Sequence, residues 1–173
     1  MHQSPEILVQ DFLSVAKLAG VDARALVVDV ESEAAPHTPP KQLPKGKMAV
    51  YVFSYRGKTL KVGKVGPRSQ ARYTTQHYIP GSAPSTLAAS LLKGGGEIGI
   101  SGLTEANVTE WIKANTERWN FLLDASQGIH VLTLLESFLQ CRLQPAFEGF
   151  ESQRTPNKAL QSTPKRLPPF GRA

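Results

Sequence analysis

The side chains of this sequence that could act on a phosphate group are concentrated in one stretch, from Met48 to Tyr78. This stretch contains Tyr51 and several lysines and arginines, and it contains no Asp or Glu. Cations attract a phosphate, and a tyrosine hydroxyl near them can contact it. Glu136, much later in the chain, is a carboxylate within an apolar run and could complete a metal site. These residue types predict phosphate chemistry.

A hairpin and a helix must position these groups. Residues 48–54 are typical of a strand, Arg56-Gly57-Lys58 of a turn, and residues 59–66 of a second strand that ends in glycines. Gly63 and Gly66 are expected to serve turn geometry. Residues from about 68 to 78 predict a helix that carries basic and aromatic side chains.

The first 47 residues predict an accessory unit of helix, strand and linker. Residues 5–19 have amphipathic spacing, with Ser4 as a cap, Pro5 at the first helical position and Gly20 at the end. Residues 23–31 contain enough apolar and β-branched side chains to predict a strand. Residues 34–47 are rich in Pro and Lys, which is typical of a linker.

The second half of the chain predicts three helices and one strand. Ser85 is expected to cap a helix over 86–93, and Thr104 a helix that ends near Asn115. Residues 118–124 predict a third strand, and residues 129–143 a strongly apolar helix that ends before Pro145. The fold expected is α+β: a small three-stranded antiparallel sheet flanked by helices, with an N-terminal helix–strand extension. The predicted domains are 1–47, 48–150 and a disordered basic tail, 151–173.

The charge of the chain is unevenly distributed. The formal net charge is +6, and residues 34–96 hold ten Lys or Arg and no Asp or Glu. A local field of this sign attracts a polyanion such as DNA and steers its approach. The alternative is a solvated basic face that has no ligand.

Composition also bears on the compartment. No apolar run approaches the length of a membrane span, and the N-terminus lacks the pattern of a secretory signal. Cys141 is the only cysteine, so an intramolecular disulfide is excluded. We therefore expect a cytoplasmic protein that does not enter membranes.

The hairpin resembles that of the GIY-YIG nuclease superfamily. Ala49-Val50-Tyr51 is similar to the first triplet, with Ala in place of Gly. Lys61-Val62-Gly63, ten residues after Tyr51, is similar to the second, with Lys in place of Tyr. Arg72, His77 and Glu136 stand near the positions of the helix arginine, the helix His or Tyr, and the metal-binding glutamate. The resemblance covers residues 48–149.

The resemblance implies hydrolysis of a DNA phosphodiester with one divalent cation, Mg²⁺ or Mn²⁺. Glu136 would hold the metal. Arg72 would grip the scissile phosphate. Tyr51 would orient or deprotonate the water, provided that Lys61, Lys64 or Arg72 lowers its pKa. His77 would act as a base or contact a phosphate, and Lys64 and Arg68 would contact DNA.

Two departures from the family pattern leave other functions open. Lys61 replaces a tyrosine, and Glu148 stands where the family has Asn. One alternative is a DNA-binding module with weak or no catalysis, and another is a protein-interaction domain. The segment Thr155–Pro164 resembles the end of mobile gene-cassette proteins, in which the reading frame continues into the cassette's recombination site. The charge of the tail would then reflect DNA sequence constraints.

Overall fold

The protein forms one antiparallel sheet with helices on both faces. The structure, a computed structural model, describes residues 4–147. The strands are β1 (Val28–Glu33), β2 (Lys47–Tyr55), β3 (Lys58–Val65) and β4 (Glu117–Asp124). The helices are α1 (Pro5–Leu18), α2 (Gln70–Thr74), α3 (Leu87–Gly94), α4 (Val108–Asn115) and α5 (Ile129–Leu143).

The sheet has four strands in the order β1-β4-β2-β3, so the predicted α+β class is confirmed and the count of three strands is wrong. The fourth strand is β1, which pairs with β4 from Val28 opposite Leu123 to Glu33 opposite Arg118. Without β1, one edge of β4 would leave its backbone polar groups unpaired. The N-terminal segment therefore contributes a strand to the same sheet.

The two faces of the sheet bury different kinds of side chain. On one face, apolar residues of β2 and β4 pack against α1 and α5 in the larger core cluster, which includes Phe12, Val50, Phe121 and Leu135. On the other face, Tyr51 and Phe53 pack with Tyr78 and with residues of α3 and α4. We call the first the aliphatic face and the second the aromatic face. Cross-strand partners share a face, which places Lys61 and Gly63 on the aromatic face and Lys64 on the aliphatic face.

Several predicted boundaries change for local reasons. Ser4 caps α1 as expected, accepting from the backbone N–H of Ile7. The cap of α3 is Thr86, whose hydroxyl accepts from the N–H of Ala89, so the expectation of Ser85 was wrong. The cap position of α4 is Asn107, and its side chain accepts from the N–H of Thr104. Thr104 therefore precedes the helix it was expected to cap.

Two other elements are shorter than predicted. Strand β1 begins at Val28 because the Asp22 carboxylate accepts from the N–H of Arg24 and holds the preceding residues in a turn. Helix α2 ends at Thr74, and two successive β-branched residues, Thr74 and Thr75, stand where a longer helix would need good helix formers. His77 and Tyr78 consequently lie in a turn after α2. None of the helices in residues 4–147 has the length and apolar character to cross a membrane.

Candidate active site

Tyr51 lies at the centre of the candidate site. It is on β2, directly opposite Gly63 of β3, and its side chain is completely buried. A Cβ atom placed on Gly63 would lie 2.4 Å from the Tyr51 hydroxyl oxygen. Gly63 is within a strand and does not serve a turn, contrary to expectation. It is required because the phenol crosses β3 at the place where any other residue would have a side chain.

His77 binds the Tyr51 hydroxyl in a defined tautomer. Its Nδ1 accepts from the backbone N–H of Leu87 at 3.1 Å, so Nδ1 carries no proton. The proton of the neutral ring is therefore on Nε2, which lies 2.6 Å from the Tyr51 oxygen and donates to it. Burial, and then the charges of Lys61 and Arg72, hold the pKa of His77 well below its usual range. His77 is neutral at pH 7, and both of its nitrogens are occupied.

Arg72 makes the second contact to the same oxygen. Its Nε donates to the Tyr51 hydroxyl at 3.1 Å, and its side chain is half-buried. Among residues 4–147 the hydrogen bonds of Arg72 use Nε alone, which leaves its terminal nitrogens for a ligand. A guanidinium can donate from Nε to one group and from Nη1 and Nη2 to another.

Two donors on one phenolic oxygen fix the state of Tyr51. The oxygen accepts from Arg72 and His77, so its own proton must point to a third group. Burial raises the pKa of Tyr51, and the charge and hydrogen bond of Arg72 only partly oppose this. The condition for Tyr51 to deprotonate a water, that nearby cations lower its pKa, is not met because removal from water outweighs them. Tyr51 is a protonated phenol at neutral pH.

Glu136 approaches the site from the opposite face of the sheet. It lies on α5, and its Oε2 accepts from Lys64 Nζ at 2.6 Å. The glutamate side chain is 17% exposed and the lysine 32%. The negative charge of Glu136 contributes to the raised pKa of Tyr51, so the carboxylate and the phenol interact electrostatically near β3. Lys64 is predicted to bind DNA, and in this structure it neutralises Glu136.

The side chains that could hold a metal ion bear on the prediction of a metal site at Glu136. In residues 4–147 there is no group of three or more His, Cys, Asp or Glu that could hold a metal ion. Mg²⁺ is commonly held by one or two carboxylates together with water and substrate phosphates. A single partly exposed carboxylate fits that mode, with the Lys64 ammonium as a competitor for one of its oxygens.

Lys61 and Arg68 have different surroundings. Lys61 is buried, opposite Phe53 on the aromatic face, and its charge lowers the pKa of His77. Arg68 is exposed between β3 and α2, and none of its described contacts reaches Tyr51. The structure thus groups Tyr51, Arg72 and His77 by direct contact. Lys61 and Glu136 act on this group electrostatically, and Lys64 contacts Glu136.

Arg118, which was not predicted from the sequence, is completely buried on the aromatic face. Its guanidinium donates to Asn120 Oδ1, the Tyr78 hydroxyl and the backbone oxygen of Tyr73. Its charge also opposes the rise in the pKa of Tyr51. The signal was present in β4, where Arg118 and Asn120 are polar residues at alternate positions of a strand whose interior is otherwise apolar.

His37 was also missed, since it lies in the predicted linker. It is buried, its Nδ1 donates to the backbone oxygen of Thr116, and its Nε2 accepts from the Tyr78 hydroxyl. This assignment is consistent because Tyr78 in turn accepts from Arg118. Burial lowers the pKa of His37. The network links the linker to the core beneath the candidate site.

Acidic residues from elsewhere in the fold offset the basic stretch. Lys47 pairs with Asp29 at 3.0 Å, and the Tyr73 hydroxyl donates to Glu31 at 3.0 Å. Together with the Lys64–Glu136 pair, these contacts reduce the charge that the sequence alone suggests.

Glu148, the domain boundary at residue 150 and the tail lie outside the described residues. No protein-family model, curated protein or solved structure matches this chain. The resemblance to GIY-YIG nucleases therefore stays a prediction, and the site is interpreted from its own geometry.

Proposed function

We propose that this protein hydrolyses a phosphodiester bond of DNA, with Tyr51, Arg72 and Glu136 as the reacting groups. The observation that carries the proposal is the position of the Tyr51 hydroxyl. It lies over Gly63 and accepts hydrogen bonds from Arg72 and His77, and the negative charge of Glu136 acts on it. A tyrosine fixed by two donors beside an arginine with uncommitted nitrogens is suited to a phosphate.

In the proposed reaction, the attacking water gives up a proton to solvent water as its oxygen forms a bond to phosphorus. The bond to the leaving sugar oxygen breaks, and that oxygen takes a proton from solvent water. Because Tyr51 is protonated, it donates a hydrogen bond to the water or to a phosphate oxygen and does not act as the base. His77 has no nitrogen available for proton abstraction. Its role is positioning, since it fixes the direction of the Tyr51 hydroxyl.

Arg72 would bind the scissile phosphate through its terminal nitrogens. Tyr51 is completely buried, and Arg72 contacts its hydroxyl. In the proposed complex, Arg72 would keep its Nε hydrogen bond to Tyr51 and present its terminal nitrogens to a phosphate beside that hydroxyl. The same guanidinium would stabilise the charge that develops on the phosphate oxygens.

Glu136 would hold Mg²⁺ or Mn²⁺, and Lys64 would have to share or leave the carboxylate. A bound divalent cation lowers the pKa of its water and offsets phosphate charge.

The test is cleavage of supercoiled plasmid with Mg²⁺ or Mn²⁺ by the wild-type chain and by Glu136→Gln. Nicking or linearisation that disappears in the variant supports the proposal. Glu110→Gln is the matched control, because Glu110 is an exposed glutamate of α4 that pairs with Lys113 at 2.7 Å. Equal cleavage by Glu136→Gln and wild type would overturn the assignment of Glu136. Circular dichroism establishes that each variant is folded.

A second candidate function is DNA binding without turnover. Two observations favour it: Lys64 already neutralises Glu136, and the Tyr51 hydroxyl has no contact with solvent. DNA that is retarded in a gel at low salt, with no cleavage by any variant, would support this candidate. Strong weakening by added salt would identify phosphate contacts as its basis.

A further inference from the structure

A pocket of about 490 Å³ lies at the far end of the hairpin, away from Tyr51. Its walls include Arg56 and Lys58 from the β2–β3 turn, Glu117 and Trp119 from β4, and Arg142 from the last turn of α5. The volume is typical of a site for a small organic group.

The pocket and the Lys64–Glu136 pair lie on the same face of the sheet, where α5 packs on β3. Trp119 pairs with Val52, which places it on the aliphatic face with Lys64. Helix α5 packs on β3 and carries Glu136 and Arg142. The six helical steps from Glu136 to Arg142 advance about 9 Å, and the five strand steps from Thr59 to Lys64 advance about 17 Å. The pocket is therefore on the order of 10–17 Å from the candidate site.

The charges of the pocket favour an anionic ligand. Arg142 is paired with Asp11 at 2.8 Å, so its charge is largely offset. Arg56 and Lys58 are exposed on the turn and are opposed in the pocket only by Glu117. An excess of positive charge remains at the entrance.

The remaining walls favour a nucleobase over a simple anion. Trp119 is partly buried and contributes an indole, a surface on which bases stack. The Glu117 carboxylate is an acceptor for the exocyclic amino group of a base. An inorganic phosphate would use the two cations and neither of these groups.

We propose that this pocket binds an unpaired nucleotide of a single strand, with its base against Trp119 and its phosphate near Arg56 and Lys58. The inference rests on the proposed function for its substrate class. The bound nucleotide would lie about three to five nucleotide steps from the scissile phosphate, at about 3.4 Å per step in a stacked strand. The pocket would thus select DNA with a single-stranded flank.

The experiment measures binding of a fluorescein-labelled single-stranded oligonucleotide to the full chain by anisotropy, as a function of salt. The test variant is the pair Arg56→Gln and Lys58→Gln. Its matched control is the pair Lys17→Gln and Arg24→Gln, two exposed cations of the N-terminal segment that do not line the pocket. The two cations neutralise one phosphate in the proposed complex, so we expect the steepness of log K against log salt to fall by about 0.7 in the test pair and to change little in the control. Equal slopes in the two pairs would overturn the proposal.

A second variant isolates the base contact. Trp119→Leu keeps an apolar side chain against the core and removes the stacking surface, so it should weaken binding roughly 5- to 150-fold. Unchanged affinity for the oligonucleotide in this variant would also count against the pocket. An acidic peptide that binds as tightly as the oligonucleotide would replace the nucleotide as ligand and overturn the proposal.

These outcomes are separable from those of the plasmid assay. If cleavage depends on Glu136 but oligonucleotide binding is unchanged in both pocket variants, the pocket proposal fails and the proposed nuclease function stands. Binding that depends on Arg56, Lys58 and Trp119, with no cleavage either of plasmid or of a duplex that carries a single-stranded flank, supports the pocket and removes the hydrolytic function.

Discussion

The phenolic oxygen of Tyr51 occupies the space into which a side chain at Gly63 would project, 2.4 Å from the position of its Cβ. The two residues face each other across β2 and β3. The glycine therefore allows the tyrosine to lie across the edge strand, where its hydroxyl meets Arg72 and His77. The two residues form one structural unit, so the effect on stability of changing one of them should depend on the other.

Gly63→Ala is expected to destabilise the protein by about 1–3 kcal/mol, since the new methyl group forces the Tyr51 ring or the backbone to move. In a Tyr51→Leu background the shorter side chain leaves room, and Gly63→Ala should cost much less. Urea unfolding of the four proteins in the double-mutant cycle gives the coupling free energy.

Gly66→Ala is the matched control for this cycle. Gly66 follows the same strand, and a Cβ there meets nothing within 4 Å. If Gly63→Ala and Gly66→Ala cost the same, or if the Tyr51→Leu background makes no difference, the close approach of Tyr51 to Gly63 is not the cause.

Stability should fall as the pH is lowered through the range below about 6.5. The pKa values of His37 and His77 are lowered in the folded protein, chiefly by burial, so the unfolded chain binds more protons there. Their contribution is fully present above the unfolded pKa of about 6.5 and is lost as pH decreases, with a limiting slope of about 1.4 kcal/mol per pH unit for each histidine. Urea unfolding between pH 7.5 and 5.5 measures it.

His77→Asn should reduce this slope, because one of the two protons taken up on unfolding is removed. The asparagine oxygen can replace Nδ1 as acceptor for the Leu87 N–H. His130→Asn, the same change at an exposed histidine of α5, should leave the slope as in the wild type. A slope that is equal in all three proteins would refute the contribution of His77.

Lys64→Gln should tighten the binding of Mn²⁺, because it removes the ammonium that competes for Glu136. A partly exposed ion pair contributes about 0.2–1 kcal/mol, and losing this competition should lower the Kd for Mn²⁺ by roughly 1.4- to 5-fold. Titration of Mn²⁺ followed by electron paramagnetic resonance measures this without any substrate. Glu136→Gln should abolish binding, and weaker binding by Lys64→Gln would contradict the competition.

Arg72→Lys should lower the single-turnover cleavage rate by about 100- to 1000-fold. A lysine has one terminal nitrogen and cannot donate to Tyr51 and hold a phosphate with a planar fork at the same time. Arg68→Lys is the matched control, since Arg68 is an exposed neighbour with no described contact to Tyr51. Equal rates for the two variants would exclude a special role for Arg72.

The parts of the fold that were predictable from sequence depend on local patterns. The β2–β3 hairpin and α5 have clear strand and helix signals with turn residues at their ends, and both formed where expected. The pairing of β1 with β4 was missed because it joins distant parts of the chain, and a strand pattern carries no information about its partner.

The candidate site shows the same division. The resemblance to GIY-YIG nucleases pointed to Tyr51, Arg72 and His77, which are in contact. They could not indicate that burial would outweigh the cations at Tyr51, because desolvation depends on what covers the residue in three dimensions. The ion pair of Lys64 with Glu136 was likewise inaccessible, since the two residues come from different elements on the aliphatic face.

The position of β4 between β1 and β2 determines when the strands can pair as the ribosome makes the chain. Strand β1 emerges first, but its partner follows roughly 90 residues later, a delay of about 5–20 s at 5–20 residues per second. The β2–β3 hairpin can pair within that interval, whereas β1 has no strand to join until β4 is made. A nascent chain that stops before Glu117 therefore leaves both β1 and the β4-facing edge of β2 without a partner, and chaperone binding to stalled chains should persist up to the release of β4.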